Sequence, residues 1–228
     1  MEHVIDLYRQ KSKVYTDAID KVVVSMILKK KENGDNVFMI CGCEPGSGST
    51  SVAINMAISF ALSGQRTLLI DCDMRKDIAH KRLNVGESFG LVDYLLGEES
   101  NIIYPTTLKL LQFIPSGECN EDAVRVLCSE KFDGFIKIMK EKFDFVIIDT
   151  VAANTVVDPA MISSKVDGTI LVAMENRTLK NSIVEAQKTF ANVNSKIMGI
   201  IVNRVDEDDY EKTVKYHDYF MKLNKKKQ

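Results

Sequence analysis

The stretch from Val37 to Leu62 constrains the fold of this chain more than any other part of it. It begins with the apolar run Val37–Gly42, passes through CEPGSGST (Cys43–Thr50), and continues as a helical pattern over Thr50–Leu62. That pattern puts Val52, Ile54, Ala57, Ile58 and Ala61 on one broad apolar face. A short run rich in Val and Ile reads as a strand buried on both faces. Gly46 and Gly48 permit a tight turn whose backbone N–H groups converge. The following helix aims the positive end of its dipole at the same place. Two glycines alone would serve a plain strand–turn–helix equally well. With the strand before them and the helix behind, the segment reads as a phosphate-binding loop.

Within that reading, the candidate nucleotide-binding residues are Pro45, Gly46, Ser47, Gly48, Ser49, Thr50 and Ser51, with the Thr50 hydroxyl placed to ligate Mg²⁺. One residue departs from the pattern. A loop of this kind reads G-K-[ST], and Ser49 stands where the lysine belongs. Serine donates a hydrogen bond but carries no charge. Losing one preorganised donor costs about 3–4 kcal/mol of transition-state stabilisation. The expectation is that nucleotide binding survives on backbone amides and Mg²⁺ while fast phosphoryl transfer suffers. Arg75 and Lys76 are candidates to replace part of the missing charge.

Further buried strands are expected at Thr67–Cys72, Phe145–Asp149, Thr169–Met174 and Lys196–Asn203, with a weaker one at Leu111–Pro115. Helical periodicity fills Glu121–Lys142 and Leu179–Val193. Strands alternating with helices imply an α/β fold, a mostly parallel central sheet with helices on both faces. We read residues 1–228 as one domain, with residues 1–35 as a helical extension (the helix itself over 14–30) and 206–228 as a tail. The extension places Ile19, Val22, Val23, Met26 and Ile27 on an apolar face. The tail runs from acidic to basic and holds Tyr210, Tyr216 and Tyr219, either phosphoacceptors or packing residues of an amphipathic helix.

Two of the expected strands deliver carboxylates to one sheet edge. LLIDCDMRK ends in Asp71 and Asp73, and FVIID ends in Asp149. The carboxyl ends of parallel strands are where α/β sheets bind ligands. Asp71, Asp73 and Asp149 are therefore the candidate catalytic groups, Asp73 and Asp149 joining Thr50 as candidate metal ligands. Asn203 and Arg204, where the last strand leaves the sheet, are candidate nucleotide contacts; a polar strand-to-loop transition explains them equally well.

Composition narrows the class. Hydrophobic residues make up 45% and charged residues 27%, which excludes a disordered chain. A net charge of −2 gives no reason to expect nucleic acid as a partner. The charged segment MEHVIDLYRQKSKV does not read as a secretory signal, and no apolar run is of membrane-spanning length. The five cysteines lack disulfide spacing, and Cys41-x-Cys43 sits in an apolar run, so a reduced cytoplasmic chain is expected. Lys222, Lys225, Lys226 and Lys227 would favour peripheral contact with the inner face of the cell membrane, although such a run is more often a solvated end.

Taken together, the loop at 44–48, LLIDCDMRK at 68–76, FDFVIIDT at 143–150, GLVDYLLGE at 90–98 and VNRVD at 202–206 resemble the bacterial tyrosine kinases of capsule and exopolysaccharide gene clusters. Those lie within the P-loop ATPases that include MinD and ParA. The resemblance implies a protein-tyrosine kinase that uses ATP, yields ADP, needs Mg²⁺, autophosphorylates C-terminal tyrosines and works with a membrane-embedded polysaccharide co-polymerase. It also implies that Asp71 assists the acceptor hydroxyl. Homo-oligomeric rings are a family feature, but the N-terminal helix lacks the E-x-x-R-x-x-R pattern that assembles them. Thr150-Val151-Ala152 lacks the usual prolines, and the tail tyrosines are spaced apart. Two alternatives stay open: a non-catalytic nucleotide-bound regulator of a membrane partner, and a MinD- or ParA-like positioning ATPase.

Overall fold

The structure, a computed structural model, describes residues 4–74, 89–117 and 123–212. A seven-stranded sheet runs through it in the order β3-β4-β2-β5-β1-β6-β7. The strands are β1 (Val37–Gly42), β2 (Thr67–Asp71), β3 (Tyr104–Pro105), β4 (Leu111–Ile114), β5 (Phe145–Thr150), β6 (Gly168–Met174) and β7 (Ile197–Asn203). Every pairing is parallel except β3 with β4. The chain passes from β1 to β2 on one side, and later to β6 and β7 on the other. The carboxyl end of β1 thus stands at a topological switch point, the place where such sheets bind ligands.

Alternation along the strands builds a core on each face of the sheet. Val37, Met39 and Cys41 join one cluster, Phe38 and Ile40 the other. The second cluster is covered by α1 (Lys13–Asn33) and α2 (Ser49–Leu62). Helix α2 is buried all the way from Val52 to Ala61 because α1 lies over the face that would otherwise meet solvent. Ser12 caps α1 by accepting the Tyr15 N–H, and Gly34, at φ +76, ends it. The opposite face carries α3 (Leu91–Leu96), α4 (Ala123–Leu127), α5 (Glu130–Lys142), α6 (Asp158–Ser163) and α7 (Lys180–Ala191).

The structure departs from the sequence expectation in four places. The helix expected over 121–142 is broken, because Ser129 stops α4 and caps α5 by accepting the Phe132 N–H. Strand β7 is an edge strand with Ile200 and Val202 exposed, not a buried one. Short α3 and α6 and the two-residue β3 were not anticipated. Strand β2 ends at Asp71, one residue short of the expected Thr67–Cys72, so Asp73 lies two residues beyond the strand. Among the described residues, no helix is long and apolar enough to cross a membrane.

Candidate functional site

Strand β1 feeds the loop Cys43–Gly48, and α2 begins at Ser49 with Gly48 as its N-cap. Gly46 (φ +81) and Gly48 (φ +87) both occupy the left-handed region that side chains resist. No side chain caps α2, so the N–H groups of its first turn, Ser49 to Ser51, have no intrahelical acceptor and face outward. This is the arrangement that receives an anion.

Three contacts fix the loop. The Cys43 N–H donates to Val172 O at 2.9 Å, tying the loop's start to β6. The Ser47 N–H donates to Glu44 O at 3.2 Å, closing the turn. Asn203 Nδ2, from the end of β7, donates to Ser47 O at 2.9 Å. The other end of that amide accepts the Arg204 N–H at 2.9 Å, in a residue itself at φ +59. Asn203 therefore braces the phosphate loop, a role the sequence did not disclose. A Cβ on Gly48 would sit 2.3 Å from Asn203 Nδ2, and one on Gly42 would sit 2.3 Å from Ser47 Oγ. Gly42 is a second residue that the sequence did not single out; its lack of a side chain makes room for Ser47.

The aspartates meet at the same edge. Asp71 and Asp149 are direct neighbours in the β2–β5 register, and the Asp73 N–H donates to Asp71 Oδ1 at 2.8 Å. Asp71 (4% exposed), Asp73 (6%) and Asp149 (5%) are all buried, which is costly for charged groups unless positive charge is supplied. Their fields converge on Cys72: burial pushes its thiol well above the ordinary value, and the charges of Asp71, Asp149 and Asp73 push it further. Burial likewise raises the Cys41 thiol to about 12 and, aided by Glu44, the Cys43 thiol to about 11. Thiolate ligation by that pair is thereby disfavoured.

Among the described residues, no group of three or more His, Cys, Asp or Glu side chains is arranged to hold a metal by itself. Mg²⁺ does not ask for such a cage, since it is usually held by one or two carboxylates together with phosphates and water. The Ser47 hydroxyl is buried without a hydrogen-bond partner, as expected of a donor awaiting an anion. With the glycine cradle and the uncapped helix, it makes the loop a fit for phosphate groups. Beside the loop, a cavity of about 830 Å³ opens between α1, α2 and the end of β7, reached by Tyr15, Ile19, Gly48, Ser51, Asn203 and Arg204.

Other expected participants are dispersed. Tyr210 lies against α1, where Lys21 Nζ donates to its hydroxyl at 3.3 Å and sits over its ring. Tyr216, Tyr219, the terminal lysines, Arg75 and Lys76 lie outside the described residues.

Fold and loop together define a nucleotide-binding domain of the P-loop class. Residues 38–223 match the model of the CobQ/CobB/MinD/ParA nucleotide binding domain, and the chain belongs to that family. It is 30% identical over 219 residues to the tyrosine-protein kinase CpsD of Streptococcus agalactiae, covering 95% of this chain and 93% of that one. The kinase domain of the Escherichia coli tyrosine kinase ETK superposes with a TM-score of 0.77 at 24% identity, over 84% of this chain and 77% of that chain. The septum site-determining protein MinD of Pyrococcus horikoshii, solved with Mg-ADP, superposes with a TM-score of 0.62 at 22% identity, over 76% and 72%.

Proposed function

We propose that this chain is an adenine-nucleotide- and Mg²⁺-binding protein of the tyrosine-kinase type. It serves capsular or exopolysaccharide synthesis from the cytoplasm as one domain that docks on a membrane polysaccharide co-polymerase. The observation that carries the reading is the phosphate loop itself: two left-handed glycines, an uncapped α2 and a partnerless Ser47 hydroxyl, beside three buried aspartates. The similarity to CpsD along nearly the whole chain supplies the biological setting, and the Mg-ADP held by MinD supports the ligand.

In this reading the N–H groups of Gly46 and of Gly48 to Ser51 hold the nucleotide's phosphates, and the cavity beside Asn203 and Arg204 takes the nucleoside. Thr50, Asp73 and Asp149 hold Mg²⁺, which when bound neutralises phosphate charge. Asp71 accepts the proton of an incoming tyrosine hydroxyl, its carboxylate oriented by the Asp73 N–H. The candidate acceptors are Tyr210, Tyr216 and Tyr219.

Ser49 favours a second reading, a nucleotide-bound regulator that does not transfer phosphate, because the charge that stabilises the transferring group is missing from its usual place. Incubation of the purified chain with radiolabelled ATP separates the two. Phosphotyrosine that disappears when Tyr210, Tyr216 and Tyr219 are all changed to Phe establishes the kinase. Nucleotide binding with no phosphotyrosine establishes the regulator.

A further inference from the structure

A phosphate loop without its lysine still has to neutralise a strongly anionic ligand, and Glu44 in the loop adds charge of the wrong sign. One basic side chain among the described residues is placed to answer this. Nη1 and Nη2 of Arg177 each lie 3.9 Å from the point a Cβ on Gly46 would occupy, so the guanidinium lies over the loop. It arrives from the adjoining strand. Strand β6 runs parallel to β1 with Val172 opposite Gly42, and Arg177 lies on the turn immediately after β6.

That turn is tightly held. Thr178 Oγ1 accepts the Met174 N–H at 2.8 Å, while the N–H groups of Arg177 and Thr178 donate to Met174 O at 3.3 and 2.9 Å. Asn176 takes a left-handed φ of +56 to complete it, and the Glu175 N–H bonds Asn203 O at 2.9 Å. The same Asn203 braces Ser47, so the Arg177 turn and the phosphate loop are registered to each other through one residue. The Arg177 side chain is exposed and forms no ion pair among the described residues. An arginine presents a planar set of donors that suits phosphate oxygens, and its charge is permanent.

We propose that Arg177 supplies, from within the same chain, the positive charge that Ser49 does not, and contacts the phosphates of the bound nucleotide. The cation has moved from the first turn of α2 to the turn between β6 and α7. This rests on the nucleotide-binding reading above and names the side chain that makes binding possible without the loop lysine.

The test is calorimetric titration of the full chain with Mg-ADP, Mg-ATP and adenosine, for the unaltered protein and for Arg177→Ala, Arg177→Gln, Arg177→Lys and Arg177→Ala combined with Ser49→Lys. Removing a charge-assisted contact weakens ADP and ATP by about tenfold or more in Arg177→Ala and Arg177→Gln, and leaves adenosine unchanged. Arg177→Lys keeps part of the affinity, and Ser49→Lys restores what Arg177→Ala lost. The affinity of the unaltered chain falls more steeply with salt than that of Arg177→Ala. Should both neutral variants bind ADP and ATP within twofold of the unaltered chain, the inference is wrong although the nucleotide-binding reading stands. If the unaltered chain binds neither nucleotide, the reading fails and takes the inference with it.

Discussion

At Gly48 the backbone and the amide of Asn203 already share all the space there is. An alanine there meets a 2.3 Å approach to Nδ2 while also holding φ at +87. The left-handed conformation alone costs about 1–2 kcal/mol for a residue with a Cβ. Gly48→Ala is therefore expected to lower thermal stability by that amount and, because Asn203 must let go of Ser47, to remove measurable nucleotide affinity. Asn203→Ala leaves Gly48 its backbone conformation and loses the brace on Ser47 together with the bond from the Arg204 N–H, so it is expected to weaken ADP binding with a smaller change in melting temperature. Equal affinity in Asn203→Ala and the unaltered chain would show that the brace does not position the loop. In the proposed function Asp149 is one of the residues that hold Mg²⁺. For Asp149→Asn, adding Mg²⁺ to an ADP titration is expected to gain much less affinity than it does in the unaltered chain, while metal-free binding changes little.

The elements show why some of this could be read in advance and some could not. Strands β1, β2, β5 and β6 are continuous apolar runs, and their positions follow from that pattern. The aspartates were visible because a charge at the end of such a run has nowhere to go but the sheet edge. Helix α3 was hidden because it is only six residues long and its Gly90-Leu91-Val92-Asp93 start combines a close tertiary approach with a local cap. A Cβ on Gly90 would lie 2.2 Å from the Gly117 N, and Asp93 Oδ2 accepts the Gly90 N–H at 2.6 Å. Arg177 and Asn203 were obscure as partners of the loop because they lie far from it in sequence and reach it only once β6 and β7 pair beside β1.

Two predictions belong to the elements. Phe60 of α2 stacks on Phe145 of β5 at 4.1 Å between ring centroids and is fully buried, so Phe60→Ala is expected to cost about 3–5 kcal/mol in urea unfolding. Asp167 anchors the start of β1, its Oδ2 accepting the N–H groups of Asn36 and Val37, both at 2.9 Å, and its Oδ1 meeting Lys140. Burial opposes its charge, but Lys140 and the two N–H groups win and hold its pKa below the ordinary 3.8. A carboxylate depressed in the folded state adds stability that is fully present above its unfolded pKa and is lost as pH falls through the folded one. Asp167→Asn is thus expected to be less stable than the unaltered chain at neutral pH, with the gap closing below about pH 4. A gap independent of pH would show that the carboxylate's charge is not what holds β1.

For the whole molecule, a parallel sheet reverses its winding at β1 and gathers at that point a loop of open amides, three buried carboxylates and the ends of β6 and β7. Burying three acids together works against stability unless positive charge or hydrogen-bond donors offset it. The arrangement makes physical sense as a receptor for a phosphate chain with its metal, with backbone dipoles and, in our proposal, Arg177 from the turn after β6 replacing the ammonium that Ser49 lacks. Calorimetric titration of the unaltered chain with ADP and ATP, each with and without Mg²⁺, bears on this most directly. The account predicts saturable binding of both that tightens when Mg²⁺ is added. No heat of binding for either nucleotide at millimolar concentration, with or without the metal, would contradict it.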